Sequence, residues 1–134
     1  MTHRIEITEH VPADSAAVFS AFTSADALAR WWWPQLPDTT YEIDGRSGGA
    51  YEIRSASAGM GVRGEFVALD PPTSIRMTWI WLDDDRAAVP EDVRIDFEPA
   101  SGGTNVRVVH ECSADPEDLR QGWTDALARL ARTA

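Results

Sequence analysis

The chain has 134 residues, enough for a core that needs no disulfide or metal staple, and its 43% hydrophobic and 25% charged residues are the balance of a folded protein rather than a disordered one. Formal net charge is −10, and the twelve basic residues are all arginines scattered along the chain, so a nucleic-acid backbone or an anionic membrane surface would be repelled. A single cysteine, Cys112, excludes an internal disulfide; with no secretory signal pattern and no apolar run near the roughly 20 residues of a membrane span, the expected location is the cytoplasm.

Arg4 to His10 alternates, with Ile5 and Ile7 on one face, which predicts a half-buried strand ended by Pro12. Asp14 is placed to cap a short helix that carries Val18, Phe19 and Phe22 inward. Thr23 with Asp26 has capping-box spacing and predicts a second short helix from there to about Trp32, before Pro34 and Pro37 force an extended connection. Short alternating strands follow around Tyr41 and Ile43, around Tyr51 and Ile53, and from Val62 to Leu69, where Asp70-Pro71-Pro72 closes the run. Ser74 to Leu82 sets Ile75, Met77, Trp79 and Trp81 against Arg76, Thr78 and Ile80. Asp83, Asp84 and Asp85 open a solvated loop reaching about Glu91, without the ligand spacing of a calcium loop. Val93, Ile95 and Phe97 alternate next; after Gly102-Gly103, Val106, Val108 and His110 share a face. Ser113 or Asp115 caps a last helix in which Leu119, Trp123, Ala126, Leu127 and Leu130 recur at helical spacing. About 17 residues at 1.5 Å each make it roughly 25 Å long, enough to cross a sheet.

These elements predict one α+β domain over residues 1–134: a curved, seven-stranded antiparallel sheet gripping a long C-terminal helix, with two short helices after the first strand. A sheet curled around one helix leaves a gap between them. Six tryptophans are more than so small a core needs, and an indole combines large apolar area with a polar N–H, which suits a cavity wall. The candidate ligand-binding residues are the inward-facing Trp31, Tyr51, Phe66, Met77, Trp79, Trp81, Phe97, His110 and Trp123; the alternative is that they interdigitate into a solid core.

His110 is the polar candidate, able to serve as acid, base or ligand-orienting donor, or to sit as a core histidine bonded to one partner. Glu111 faces the other side of its strand, and Glu65 suits a solvent-facing ion pair better than a cavity rim. Cys112 shares the His110 face, but His3 and His10 lie on the first strand and nothing completes a zinc tetrahedron, so neither metal nor cofactor is expected. No serine stands in a nucleophile-elbow pattern.

Thr23 through Trp32, Asp44-Gly45-Arg46 with Gly48-Gly49, Gly64-Glu65-Phe66, Asp70-Pro71-Pro72, Thr78-Trp79-Ile80-Trp81, Gly103-Thr104, His110-Glu111 and Gly122-Trp123 occur in an order that resembles the helix-grip proteins of the START-like (SRPBCC) superfamily. The branch is the one similar to the activator of heat-shock protein 90 ATPase. The resemblance covers nearly the whole chain and departs at Trp33, which stands where that branch often has glycine and would narrow the space below the second helix. It implies a helix-grip fold and, in stand-alone members, a hydrophobic-ligand pocket.

The leading expectation is therefore a non-enzymatic module, monomeric or homodimeric, that binds a small apolar or aromatic molecule. One alternative is a cyclase- or hydratase-like enzyme with His110 as acid or base; it needs two convergent polar groups in the cavity. Another is a co-chaperone-like interaction domain, which needs a basic or apolar contact surface that this acidic chain does not suggest.

Overall fold

The computed structural model describes residues 3–36, 38–83, 86–87, 89–112 and 116–133. Strand β1 (His3–Val11) buries Ile5 and Val11 while Arg4 and Glu6 stay in solvent, as alternation requires. Helix α1 (Ser15–Thr23) is capped by Asp14, whose carboxylate accepts from the Ala17 N–H at 2.8 Å, and it buries Val18, Phe19 and Phe22.

Helix α2 (Ala25–Leu28) differs from expectation at both ends. Its cap is Ser24, accepting from the Ala27 N–H at 3.4 Å, because Thr23 still belongs to α1 and its hydroxyl turns back to the Phe19 carbonyl. Past Leu28 the backbone tightens into turns in which Arg30 bonds Ala27 and Trp31 bonds Leu28, both at 3.1 Å, so the tryptophan run is displayed by turns and not by a regular helix.

The remaining strands are β2 (Thr39–Ile43), β3 (Ala50–Ser55), β4 (Met60–Asp70), β5 (Ser74–Asp83), β6 (Arg86–Ala87), β7 (Glu91–Ala100) and β8 (Gly103–Cys112). All pairings are antiparallel, and the sheet runs β1-β8-β7-β5-β4-β3-β2. That is the expected seven-stranded curved sheet. The two-residue β6 adds to it by pairing with the end of β5, within the stretch read as loop. Asp84 and Asp85, and the proposed caps Ser113 and Asp115, lie outside the described residues.

Helix α3 (Pro116–Thr133) lays Trp123, Ala126, Leu127 and Leu130 against the sheet. The space beneath it is largely filled. Phe97 meets Phe19 at 5.5 Å and Phe22 at 5.4 Å between ring centroids, and Tyr51 meets Phe66 at 5.4 Å. The void left among Phe22, Leu28, Tyr51, Phe66 and Met77 holds about 10 Å³, at or below the room one water needs. The deep interior is a packed core; a cleft of about 320 Å³ lined in part by Trp31, Leu130 and Thr133 opens at the C-terminal end of α3, and the tryptophan-rich space lies along its N-terminal half.

Candidate functional site

That space is a partly enclosed cleft of about 270 Å³. Helix α3 supplies one wall through Asp118, Leu119, Gly122, Trp123 and Ala126, which recur at the spacing of a single helix face. Strand β5 supplies Trp79 and Trp81, two residues apart and so on one side of the sheet; β8 supplies Cys112, and the turns after α2 supply Trp32 and Trp33. Five of the six tryptophans therefore converge here from three parts of the chain.

The indoles also support one another. Trp32 lies 5.4 Å from Trp79 and 5.5 Å from Trp123 between centroids, and Trp79 lies 5.2 Å from Trp81 and 5.5 Å from Trp123. These are the tilted and edge-on separations aromatic rings favour, so the indoles of the wall hold one another in place by contact. The indole nitrogens of Trp32 and Trp79 are buried and find no acceptor among the described residues. What these two rings present to the cleft is therefore carbon.

Behind the wall runs a buried polar chain. The Trp123 N–H donates to His110 Nδ1 at 3.1 Å, and His110 Nε2 lies 2.7 Å from Glu91 Oε1. An indole nitrogen can only donate, so Nδ1 carries a lone pair, the imidazole is neutral, and its one proton points from Nε2 to the carboxylate. Burial pushes His110 below the ordinary imidazole value, the attraction of Glu91 and Asp92 opposing it without prevailing. The imidazole is fully buried, with both ring nitrogens engaged. Its evident work is to hold the Trp123 indole at a fixed angle.

The candidate residues separate accordingly. Trp79, Trp81 and Trp123 line the cleft, and His110 stands behind Trp123. Tyr51, Phe66 and Met77 line the small void, and Tyr51 donates its hydroxyl to the Thr78 carbonyl at 2.6 Å. Phe97 packs between Phe19 and Phe22. Trp31 faces away from the cleft, its N–H bonded to the Ala21 carbonyl at 3.1 Å and its ring 4.8 Å from Phe22. Glu65 is exposed on the outer side of the sheet, and His10 bonds Asn105. Among the described residues, no three His, Cys, Asp or Glu side chains are grouped to hold a metal.

Sequence reasoning missed Trp32 and Glu91, and took Trp33 only as narrowing the space below the second helix, not as a ligand-binding residue. Glu91 had a signal: it continues the Val93, Ile95, Phe97 face by one more step of two, and it pairs across the strands with Trp79. Its place at the end of the stretch read as a loop masked that period. For Trp32 there was none, because which of three consecutive indoles faces the cleft depends on the turns after α2.

A family model described as Activator of Hsp90 ATPase homolog 1-like protein matches residues 12–134. Among solved structures the chain is similar to protein CV1439 from Chromobacterium violaceum, with 27% identity and a TM-score of 0.80 over 97% of this chain and 95% of that one. It is similar to an AHSA1-like protein from Aeromonas hydrophila at 24% identity and a TM-score of 0.72, covering 97% and 90% of the two chains. The Mll3558 protein from Rhizobium loti aligns at 20% identity and a TM-score of 0.82 over 100% and 98%. The last two likenesses concern the fold alone. No protein of curated function matches the chain.

Proposed function

The chain belongs to the Activator of Hsp90 ATPase homolog 1-like family, and from that premise and the cleft we propose that it is a binding module for a small, flat, apolar or aromatic molecule. The observation that carries the reading is the convergence of Trp32, Trp33, Trp79, Trp81 and Trp123 on one partly open space. A cavity of about 150 Å³ accepts benzene, so about 270 Å³ suits a fused bicyclic ring system or something of similar bulk. Asp118, exposed on α3, is the one charged side chain among the described lining residues, and the other described walls are apolar.

Binding is favoured over catalysis because His110 has no nitrogen left for a substrate and no exposed face. A proton-transfer role would need that histidine within reach of the reacting atoms. No described helix is long and apolar enough to cross a membrane. Cys112, buried at the cleft, suits a reducing compartment, and a cytoplasmic protein acting as a monomer or homodimer is part of the proposal.

The test is a panel of neutral aromatic and fatty compounds followed by indole fluorescence and thermal shift. A ligand that binds only the folded state, at about a hundredfold over its dissociation constant, stabilises it by about 2.7 kcal/mol. Bicyclic aromatics are expected to quench emission and raise the melting temperature. A panel without quenching or shift would contradict the reading.

A further inference from the structure

Two residues on the cleft break the local rules of their own backbone, in opposite senses. Trp33 has φ +52°, the left-handed region, which bulky residues avoid because Cβ crowds the neighbouring carbonyl. It sits at the end of the turns after α2, where helices commonly place a glycine, and it precedes Pro34, which disfavours that region further. Gly122 lies in the middle of α3, where glycine is among the poorest helix formers. The chain thus has tryptophan where the backbone favours glycine, and glycine where the helix favours a side chain.

Both departures face the same space. Trp33 is half-buried and lines the cleft beside Trp32. Gly122 lines the wall that α3 supplies, and a Cβ built on it would meet nothing within 4 Å, so a side chain there would project into open space. The strain at Trp33 is held from outside. The Trp31 carbonyl accepts from Arg129 Nε at 3.0 Å, the Trp32 carbonyl from the Tyr41 hydroxyl, and the Trp33 carbonyl from the Leu36 N–H at 3.1 Å. A strained conformation persists only where its surroundings over-determine it, and such sites concentrate where a protein binds.

We propose that Trp33 and Gly122 are the specificity-determining pair of the cleft: the indole of Trp33 narrows it from one side, and the bare backbone of Gly122 keeps the α3 side open, which selects flat bicyclic aromatics over wider ones. This rests on the binding reading above and adds the size limit and the residues that set it.

The test uses two neutral probes, 2-naphthol and 1-hydroxypyrene, titrated by fluorescence into the native chain and into Trp33→Gly, Trp33→Ala, Trp33→Phe, Gly122→Ala and Gly122→Leu. The native chain is expected to prefer 2-naphthol. Trp33→Gly should shift the affinity ratio at least about tenfold toward 1-hydroxypyrene, Trp33→Phe should shift it less, and Trp33→Gly should melt about 3 °C above Trp33→Ala because glycine relieves the strain. Gly122→Ala should raise the melting temperature yet weaken 2-naphthol, and Gly122→Leu should weaken it at least about tenfold. Stability and affinity moving in opposite directions is an outcome that a merely structural role would not produce. An unchanged probe ratio in Trp33→Gly, or unchanged affinity in Gly122→Leu, beside intact binding by the native chain would overturn the pair alone. Failure of the native chain to bind either probe would overturn the binding reading and the pair with it.

Discussion

The indole N–H of Trp123 and the Nδ1 lone pair of His110 meet at 3.1 Å, which ties the orientation of a cleft wall to the protonation state of a buried ring. Protonating His110 would set two N–H groups against each other across that distance. The folded state therefore resists the proton more than the unfolded chain does, in the direction that burial already drives it.

Stability should accordingly fall as the pH drops below about 6.5, the ordinary imidazole value, at up to about 1.4 kcal/mol per pH unit. The sign follows because the unfolded chain takes up a proton in that window and the folded one does not. The stability is fully present above about pH 6.5 and declines until the depressed folded value is passed. Glu6, held low by its hydrogen bond and attraction to Arg107, acts in the same direction only at more acid pH, near the carboxylate range. Urea unfolding between about pH 7 and 5.5 measures the effect, and His110→Gln should flatten it. A flat profile in the native protein would contradict a neutral, buried His110.

Glu91 completes the same chain. Glu91→Ala leaves the Nε2–H of His110 without its carboxylate partner in a buried setting and should cost about 1 to 3 kcal/mol. Glu91→Gln keeps an acceptor oxygen and should recover much of that. Denaturant midpoints for both variants decide the point; equal losses would mean that charge, not hydrogen bonding, is what the histidine needs.

Trp79 and Trp81 share a strand face but differ in depth, since Trp79 is 2% exposed and Trp81 only partly buried. Trp79→Ala should therefore cost roughly 3 to 5 kcal/mol, the range for emptying a packed indole site. Trp81→Ala should cost distinctly less while still weakening a bound aromatic probe. Equal losses of stability would mean that the cleft closes over Trp81 in solution.

Much of the fold was readable because burial imposes a period. Ile75, Met77 and Trp79 alternate strictly on β5, and Trp123, Ala126, Leu127 and Leu130 repeat at helical spacing on α3. The cleft was less readable, because its walls depend on features without a period. The left-handed turn at Trp33 aims an indole that no alternation could assign, and the bulge between Phe66 and Ala68 shifts the β4–β5 pairing by one residue. The boundary between core and cleft also escaped the sequence: Phe66 and Trp79 look alike as inward-facing aromatics, and only the path of α3 decides that one is sealed and the other lines open space.

The cap at Asp14 provides a control remote from the cleft. Its carboxylate bonds the Ala17 N–H at 2.8 Å, so Asp14→Ala should cost about 1 kcal/mol through α1 alone. Probe affinity, measured well below the melting temperature, should stay at the native value. A parallel loss of affinity would mean that binding reads global stability and not the cleft.

Binding at the tryptophan cleft is tested by a titration of 2-naphthol followed through the indole N–H resonances of ¹⁵N-labelled protein. Six such signals exist, and the geometry sorts them. Trp32, Trp33, Trp79, Trp81 and Trp123 line the cleft, whereas Trp31 is turned away and bonded to the Ala21 carbonyl. Saturable shifts are expected at the five cleft indoles, with the Trp31 signal nearly still. Saturable shifts led by Trp31, or no indole shift at the solubility limit of the probe, would contradict binding at the cleft.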